Sequence, residues 1–454
     1  SKLRVLLLST YELGRQPFGI ASPATWLRDS GFAVQCRDLA VEPKEDALFE
    51  SADLVAFFLP MHTAARLALP LIARAREINQ DLYLTCYGLY APPNATYLRS
   101  LGVDSVLGGE FEQGLLDLCR WVARGKPDGN EIPAISLALQ QFRVPDRHDL
   151  PELSKYGHLQ YPDGSLLEVG YTEASRGCKH RCRHCPVVPI YNGRFRVVQQ
   201  AVVLADVRQQ VERGARHITF GDPDFFNGIG HSIPLIERLH SEFPDVTYDV
   251  TIKVEHMLKH RDRLPALRAT GCVLVTSAVE STSDHVLQLL RKGHSREDFI
   301  RVARLCSEIE LGLNPTFVPF TPWSGMADYR DLLATIVDLD LVPQVAPVQL
   351  SIRLLIPEGS ELLGCAATRS AIGSFDPEQL SYRWRHPDQC VDELYRSVYK
   401  SVCKGVEEDR SRVQIFADLW RLAHQLEDRP TPLPPAVNVL PLTSIPFMTE
   451  PWYC

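Results

Sequence analysis

Short apolar runs alternate with amphipathic stretches over residues 3–120. The stretch 62–78, for example, places its apolar residues at helical spacing. Runs with the length and composition of buried strands lie at 4–8, 33–38, 54–60, 82–88 and 105–109. This alternation predicts a parallel, doubly wound sheet. Because the first loop, STYELGRQPFG, lacks a G-x-G-x-x-G turn, we do not expect a dinucleotide site there.

A second alternating series follows a less regular connector. Helical patterns separate its apolar runs, which lie at 217–225, 246–254, 273–281, 315–322 and 348–357. With one more strand at or before the cysteine-rich loop at 175–189, this series predicts six β/α units in an open, partial barrel. Chemistry in β/α folds collects at the carboxyl ends of the strands, so we expect the loop to lie beside those ends.

The predicted fold class is therefore α/β, and a chain of 454 residues is long enough for two or three domains. We expect a Rossmann-like domain over 1–140, a partial (β/α)6 barrel over 141–365 and a helical C-terminal region over 366–454. The last region ends in a segment with seven prolines between 430 and 451. Proline disrupts helices and central strands, so this segment is expected to run extended over the surface.

Composition narrows the function classes. The net charge of −8 gives no general reason to expect a nucleic-acid partner. No apolar run has the length of a membrane span, and the apolar start is too short for a signal peptide. Cysteines in apolar runs are expected to be buried hydrophobic residues, namely Cys36, Cys86, Cys119, Cys272 and Cys306. These features predict a protein of the reducing cytoplasm, with no membrane partner.

The stretch SRGCKHRCRHCPVVP places Cys178, Cys182 and Cys185 at C-x3-C-x2-C spacing. Structural zinc usually takes four ligands from two separated pairs, and a fourth ligand from His180 or His184 would be unusual. A redox pair would leave the third cysteine redundant. Three thiolates fit a 4Fe-4S cluster that leaves one iron open. The spacing favours the cluster, with zinc and a dithiol as the alternatives.

This spacing, in a loop that leads into repeated β/α units, resembles the radical S-adenosylmethionine (SAM) enzymes. The resemblance implies that the open iron binds the amino and carboxylate groups of SAM. It also implies that electron transfer from the cluster cleaves a carbon–sulfur bond. His184 stands where the family often has an aromatic residue that packs near adenine.

Downstream segments extend the resemblance over about residues 165–360. FGDPDFFN, at 220–227, stands where the family has an acidic turn that binds the methionine amino group. TIKVEHM, AVESTSDHVLQLLRKGHSREDF and SIRLLIPEGSEL resemble the third, fourth and sixth strand segments. The implied cofactor contacts are Gly221, Asp222, Asp224, Lys253, Glu280, Ser281 and Arg353.

The N-terminal domain resembles the cobalamin-binding domains of the same superfamily. The usual D-x-H-x-x-G signature supplies a histidine to cobalt, whereas the loop at 9–14 has none. Whether cobalamin binds is left open. The methylthiotransferases of the superfamily carry an extra cysteine set and a basic RNA-binding module, which this sequence does not match.

The final residues, TEPWYC, resemble the end of a radical SAM group named for a Cys-Cys-Ala-Glu-Pro or selenocysteine tail. An activity of that group, in arsinothricin biosynthesis, is transfer of the 3-amino-3-carboxypropyl group of SAM to trivalent arsenic. The resemblance implies arsenite as substrate, presented by Cys454, and an electron donor such as flavodoxin or ferredoxin. Soft thiolates suit such a soft centre.

Two other functions are weighed. One is a 5′-deoxyadenosyl-radical or cobalamin-dependent methylase that acts on a small molecule. The other is a zinc-stabilised binding protein without catalysis.

Overall fold

The computed structural model describes residues 2–128, 132–425, 431–432, 434 and 446–449. Six parallel strands form the N-terminal sheet in the order β2-β1-β3-β4-β5-β6. They are β1 (Arg4–Ser9), β2 (Ala33–Asp38), β3 (Leu54–Phe58), β4 (Tyr83–Tyr87), β5 (Ser105–Gly109) and β6 (Ile135–Ser136). The intervening helices are α1 (Phe18–Asp29), α2 (Ala47–Glu50), α3 (His62–Ile78), α4 (Ala95–Ser100) and α5 (Phe111–Ala123).

This sheet is covered on both faces. Alternate residues of β1 enter different hydrophobic clusters, Leu6 and Leu8 in one and Val5 and Leu7 in the other. A strand buried on both sides reads as a continuous apolar run, which is why the runs were recognisable in the sequence. The predicted doubly wound sheet is confirmed.

A second sheet has the order β14-β13-β12-β11-β8-β7-β17, of which β8 and β11–β14 are parallel. Its strands are β7 (His158–Gln160), β8 (Leu166–Thr172), β11 (His217–Phe220), β12 (Thr247–Thr251), β13 (Cys272–Glu280), β14 (Gly312–Phe317) and β17 (Phe447–Met448). Two hairpin-like pairs stand apart from it, namely β9 (Ser175–Gly177) with β10 (Phe195–Val197) and β15 (Ile372–Asp376) with β16 (Ser381–Trp384).

The helices of this half alternate with the strands and then continue alone. They are α6 (Val188–Tyr191), α7 (Gln200–Glu212), α8 (Ile229–Glu242), α9 (Val254–Lys259), α10 (Leu264–Ala269), α11 (Asp284–Leu290), α12 (Arg296–Glu308), α13 (Met326–Asp338), α14 (Ala366–Arg369), α15 (Gln389–Glu407) and α16 (Arg412–His424). The molecule thus has the predicted α/β fold, with a curled half-barrel and a helical C-terminal region.

One predicted strand was wrong. The run at 348–357 forms a 3-10 helix at Pro347–Leu350 and then a single parallel bridge from Arg353 to Phe320. The backbone N–H of Phe317 donates to the side-chain Oε1 of Gln349, at 3.2 Å. A side-chain amide thus adds to the backbone contacts here, and the half-barrel ends in one bridge instead of a sixth strand.

The C-terminal region returns to the barrel. The helix α15 buries Val391, Leu394, Val398 and Val402 at helical spacing. The strand β17 pairs antiparallel with β7, which brings 446–449 to the edge of the sheet. Cys454 lies outside the described residues. No helix in the described ranges is long and apolar enough to cross a membrane.

Candidate active site

The three cysteines share one loop, which follows β9. Cys178 and Cys182 are buried and Cys185 is half-buried, and none of them forms a disulfide. Gly177 precedes the loop with a φ of +78°, and a Cβ there would meet the carbonyl oxygen of Arg194 at 2.5 Å. This position requires glycine, and it presents Cys178 to the end of the sheet.

Side chains from two other segments hold the loop. The Asn227 side-chain oxygen accepts a hydrogen bond from the Lys179 N–H at 3.0 Å and lies 3.8 Å from Cys178 Sγ. After β12, Lys253 Nζ donates to Cys182 Sγ at 3.6 Å. A cation therefore already contacts one thiol.

Burial makes two of these thiols, Cys178 and Cys185, weaker acids. It raises the pKa of the Cys178 thiol, and it raises the pKa of Cys185 to about 12, with Cys182 and Cys178 adding to the effect. Burial alone would lower the pKa of Lys292. Glu280 and the thiols of Cys182 and Cys185 outweigh burial, so the pKa of Lys292 is raised. A metal centre compensates the thiolates, and buried cations offset the remaining negative charge. The donor set and its cations fit a 4Fe-4S cluster.

Glu280 and His184, both predicted cofactor contacts, lie against each other. His184 Nε2 is 3.0 Å and Lys292 Nζ 3.3 Å from Glu280 Oε1. Burial would raise the pKa of Glu280, but Lys292 and His184 lower it to about 2. The carboxylate stays ionised and orients the imidazole next to Cys185. Ser281 accepts a hydrogen bond from the Ser283 N–H at 3.0 Å and so starts the turn into α11.

The two aspartates of the acidic turn after β11 contact different parts of the molecule. Asp222 lines the large cavity described below, and it accepts hydrogen bonds from the Ala174 N–H at 2.8 Å and the Ser175 hydroxyl at 2.5 Å. Burial raises the pKa of Asp222 to about 7. Asp224 instead accepts from the Phe226 N–H at 3.1 Å. The other carboxylate oxygen of Asp224, Oδ2, lies near His180 and His256.

A Cβ at Gly221 would overlap the Tyr171 hydroxyl, so a larger residue there would displace that side chain. Arg353 is held by the C-terminal region. Its guanidinium stacks 3.6 Å from the Trp384 ring centroid and pairs with Asp392 at 2.7 Å. These packing contacts do not test whether Gly221 and Arg353 contact the cofactor, so both contacts stay predictions.

A cavity of about 410 Å³ separates the two sheets. One wall consists of the loops at the carboxyl ends of the N-terminal strands, including Glu12, Phe58 and Gly88, and the other is the barrel interior. Phe447 and Met448 of the C-terminal segment also line it. Ligands of parallel sheets bind at strand ends of this kind.

Two cavity acids were not among the predicted site residues. Burial raises the pKa of Glu12 well above its ordinary range, and Glu173 adds to this. Burial also raises the pKa of Glu173 itself, against the opposing effect of Arg176. Glu12 lies in the loop after the first strand, three residues beyond Ser9, and this position in a parallel sheet was the available signal.

A comparison with family models identifies the barrel segment. A family model described as "Radical SAM superfamily" matches residues 172–333, which contain the cysteine loop and the acidic turn. The chain contains a radical SAM domain. This domain implies a 4Fe-4S cluster and SAM, in agreement with the chemistry of the three thiols.

The radical SAM domain has curated relatives. Hopanoid C-3 methylase of Methylococcus capsulatus is 26% identical over 302 residues, 63% of this chain and 58% of that protein. A tRNA-2-methylthio-N(6)-dimethylallyladenosine synthase of Hahella chejuensis is 22% identical over 291 residues, 58% of each chain. The chain thus spans somewhat more than half the length of these relatives. The absence of a nucleic-acid partner stays a prediction.

Solved structures match the fold over nearly the entire chain. The radical SAM methyltransferase TsrM from Kitasatospora setae, with tryptophan and a SAM analogue bound, has a TM-score of 0.67 and 16% identity. The match covers 93% of this chain and 89% of that one. The cobalamin-dependent enzyme OxsB, with aqua-cobalamin bound, has a TM-score of 0.70 and 16% identity, over 94% of this chain and 74% of its own.

Proposed function

We propose that this protein is a radical SAM transferase that reductively cleaves SAM at a cluster held by Cys178, Cys182 and Cys185. The observation that carries the proposal is the convergence of three buried or half-buried thiols with the buried lysines Lys253 and Lys292. When bound, the cluster supplies the electron that breaks a carbon–sulfur bond of SAM.

The chain's own residues then have separate tasks. The thiols hold three irons, and the two lysines offset their negative charge. Glu280, kept ionised by Lys292, is an acceptor for hydroxyl or ammonium groups and orients His184. The apolar and acidic walls of the cavity restrict water around the acceptor, and a volume of about 410 Å³ suits a small molecule.

The proposed acceptor is trivalent arsenic, taken up as arsenite, and the proposed group is 3-amino-3-carboxypropyl, as in hydroxyarsinothricin-type biosynthesis. Support comes from the resemblance of the final residues and from β17, which brings Met448 into the cavity wall. Cys454 follows Met448 by six residues, a reach of at most about 20 Å. In this proposal Cys454 presents arsenic, and a flavodoxin or ferredoxin donates the electron.

Methyl transfer is the second candidate, because the fold likeness extends over nine-tenths of the chain to an enzyme solved with cobalamin bound. None of the described residues that line the cavity is a histidine. The loop after β1 carries Glu12 and no histidine. No step is therefore assigned to cobalamin.

The test uses anaerobically reconstituted protein, reduced and supplied with SAM and arsenite. Methylthioadenosine together with a carbon-bearing arsenic species supports aminocarboxypropyl transfer. S-adenosylhomocysteine or 5′-deoxyadenosine, with arsenite unchanged, supports the methylase. Cys182→Ser is the control that removes the cluster. A colourless protein with one zinc on the cysteines would overturn both readings. Cys454→Ser tests the tail, since it should slow arsenic alkylation while the cluster absorbance stays unchanged.

A further inference from the structure

Three metal-ligating side chains meet beside the cysteine loop, and one of them, Asp224, is also among the predicted cofactor contacts. His180 lies in the loop between Cys178 and Cys182, Asp224 precedes the 3-10 helix Phe225–Gly228, and His256 lies on α9. The exposed fraction of the side chain is 0% for Asp224, 7% for His256 and 15% for His180. Segments far apart in sequence thus bring two imidazoles to one buried carboxylate.

Each of the three side chains has an atom without a hydrogen bond. Asp224 Oδ1 caps the following helix, which leaves Oδ2 free. This oxygen lies 2.7 Å from His256 Nδ1 and 3.6 Å from His180 Nε2. None of these three atoms has an aligned hydrogen bond, although the first pair is close. Buried polar atoms left in this state are rare and call for a partner.

The distances fit an ion. Zinc bonds to nitrogen and oxygen are roughly 2.0–2.2 Å, so two ligands of a tetrahedral ion lie about 3.3 Å apart. The separations of 2.7 and 3.6 Å fall on either side of this value, and all three atoms lie within 4.8 Å of one another. His180 Nδ1 is 3.4 Å from Glu255 Oε2. A carboxylate behind a ligating histidine is a common arrangement at metal sites.

We propose that His180 Nε2, Asp224 Oδ2 and His256 Nδ1 bind one divalent transition-metal ion, separate from the cysteine site. A set of two imidazoles and one carboxylate suits ions such as Zn²⁺ or Fe²⁺ and leaves at least one position open. Because His180 stands between two cluster cysteines, the ion fixes the loop against α9 and the segment at 225–228. A direct contact between His256 and Asp224 without an ion is the alternative outcome.

The test measures Zn²⁺ bound to cluster-loaded protein by equilibrium dialysis, with zinc, iron and sulfide determined on the same samples. We expect about one zinc per chain. His256→Gln and Asp224→Asn should each weaken zinc binding at least tenfold, with iron and sulfide unchanged. The matched control is His260→Gln, because His260 is the next histidine after His256 and its ring is 5.9 Å away. This control should bind zinc as the unmodified protein does.

Zinc X-ray absorption separates this site from the cysteine loop. Only nitrogen and oxygen ligands are expected, whereas a zinc–sulfur path at about 2.3 Å would place the ion on the cysteines and overturn the proposal. No bound zinc, or equal binding by His256→Gln, would also overturn it. Should His256→Gln fail to fold, as judged by circular dichroism, His180→Gln repeats the test from the loop side.

Discussion

Two buried carboxyl groups near the cysteine loop behave in opposite ways because their neighbours differ. Burial raises the pKa of Asp222 to about 7, and its partners are the Ser175 hydroxyl and a backbone N–H. Burial acts on Glu280 in the same direction, but Lys292 and His184 lower its pKa to about 2. At the residue scale, a nearby cation outweighs desolvation. Glu280 is therefore the better acceptor for a cationic group at neutral pH.

Asp222→Asn tests this protonation state. The pKa of Asp222 is raised from 3.8 when unfolded to about 7 when folded. Its stabilisation is therefore complete below about pH 4 and is lost as the pH rises through about 7. Asparagine resembles the protonated acid and keeps the contact to Ser175. We expect the variant to lose less stability than the parent between pH 5 and 8, by about 2–3 kcal/mol, because the rest of the effect falls below pH 5.

Urea titrations across this pH range give the free energies of unfolding. Exposed Asp81→Asn is the control and should follow the parent curve. Identical pH slopes for Asp222→Asn and the parent would contradict the assignment.

Lys292→Gln tests the charge beside the thiols. Removing a buried cation stabilises the oxidised, less negative cluster, so the reduction potential should fall. A unit charge roughly 8 Å away contributes about 2 kcal/mol at an effective dielectric constant near 20. For one electron this is on the order of 90 mV. The measurement is a redox titration followed by electron paramagnetic resonance.

The neighbouring cation supplies the matched control. Arg291 is 53% exposed and pairs with Glu361 at 3.5 Å. The variant Arg291→Gln therefore removes a charge of the same sign, but one that is in contact with solvent. It should change the potential far less, because solvent screens its charge. Equal changes in the two variants would mean that Lys292 does not act on the cluster.

At the scale of elements, local patterns in the sequence predicted the strands that are buried on both faces of a sheet. The runs at 4–8, 33–38 and 105–109 became strands at nearly the predicted bounds. The run at 348–357 did not, and it forms a 3-10 helix at Pro347–Leu350 followed by a single bridge from Arg353 to Phe320. The cysteine loop was predictable from its spacing. The meeting of His180, Asp224 and His256 brings together three segments that are distant in sequence, and no local pattern predicts it.

Arg353→Met separates a packing role from the predicted cofactor contact. Its guanidinium joins the end of the barrel to α15 through Asp392 and to β16 through the backbone carbonyl of Trp384. Losing a charged hydrogen bond should lower the free energy of unfolding by about 1.5–3 kcal/mol. Asp392→Asn should cost a similar amount, and the double variant should cost less than the sum. Weaker SAM binding without a loss of stability would support the cofactor role instead.

At the scale of the whole molecule, buried ion pairs join the two sheets. Arg176, two residues before Cys178, pairs at 2.6 Å with both Glu112 of α5 and Glu173. In the connector, Arg147 pairs with Asp206 of α7 at 2.8 Å, and both side chains are buried. A buried charge left without its partner is costly, so these contacts fix how the domains meet. The cysteine loop is thereby tied to the N-terminal domain.

Glu112→Gln tests whether this connection reaches the cluster. The change removes one carboxylate from Arg176, which keeps Glu173 at 2.6 Å and Glu110 at 3.6 Å. We expect the free energy of unfolding to fall by about 3 kcal/mol, at the lower end of what breaking a buried pair costs. Because Arg176 adjoins the loop, iron should also be lost faster to a chelator, as bleaching of the cluster absorbance. Asp29→Asn breaks the exposed Arg143–Asp29 pair at 2.8 Å and should cost less than about 1 kcal/mol. A Glu112→Gln protein that is destabilised but keeps its iron as long as the parent would show that the domain contact stabilises the fold without supporting the loop.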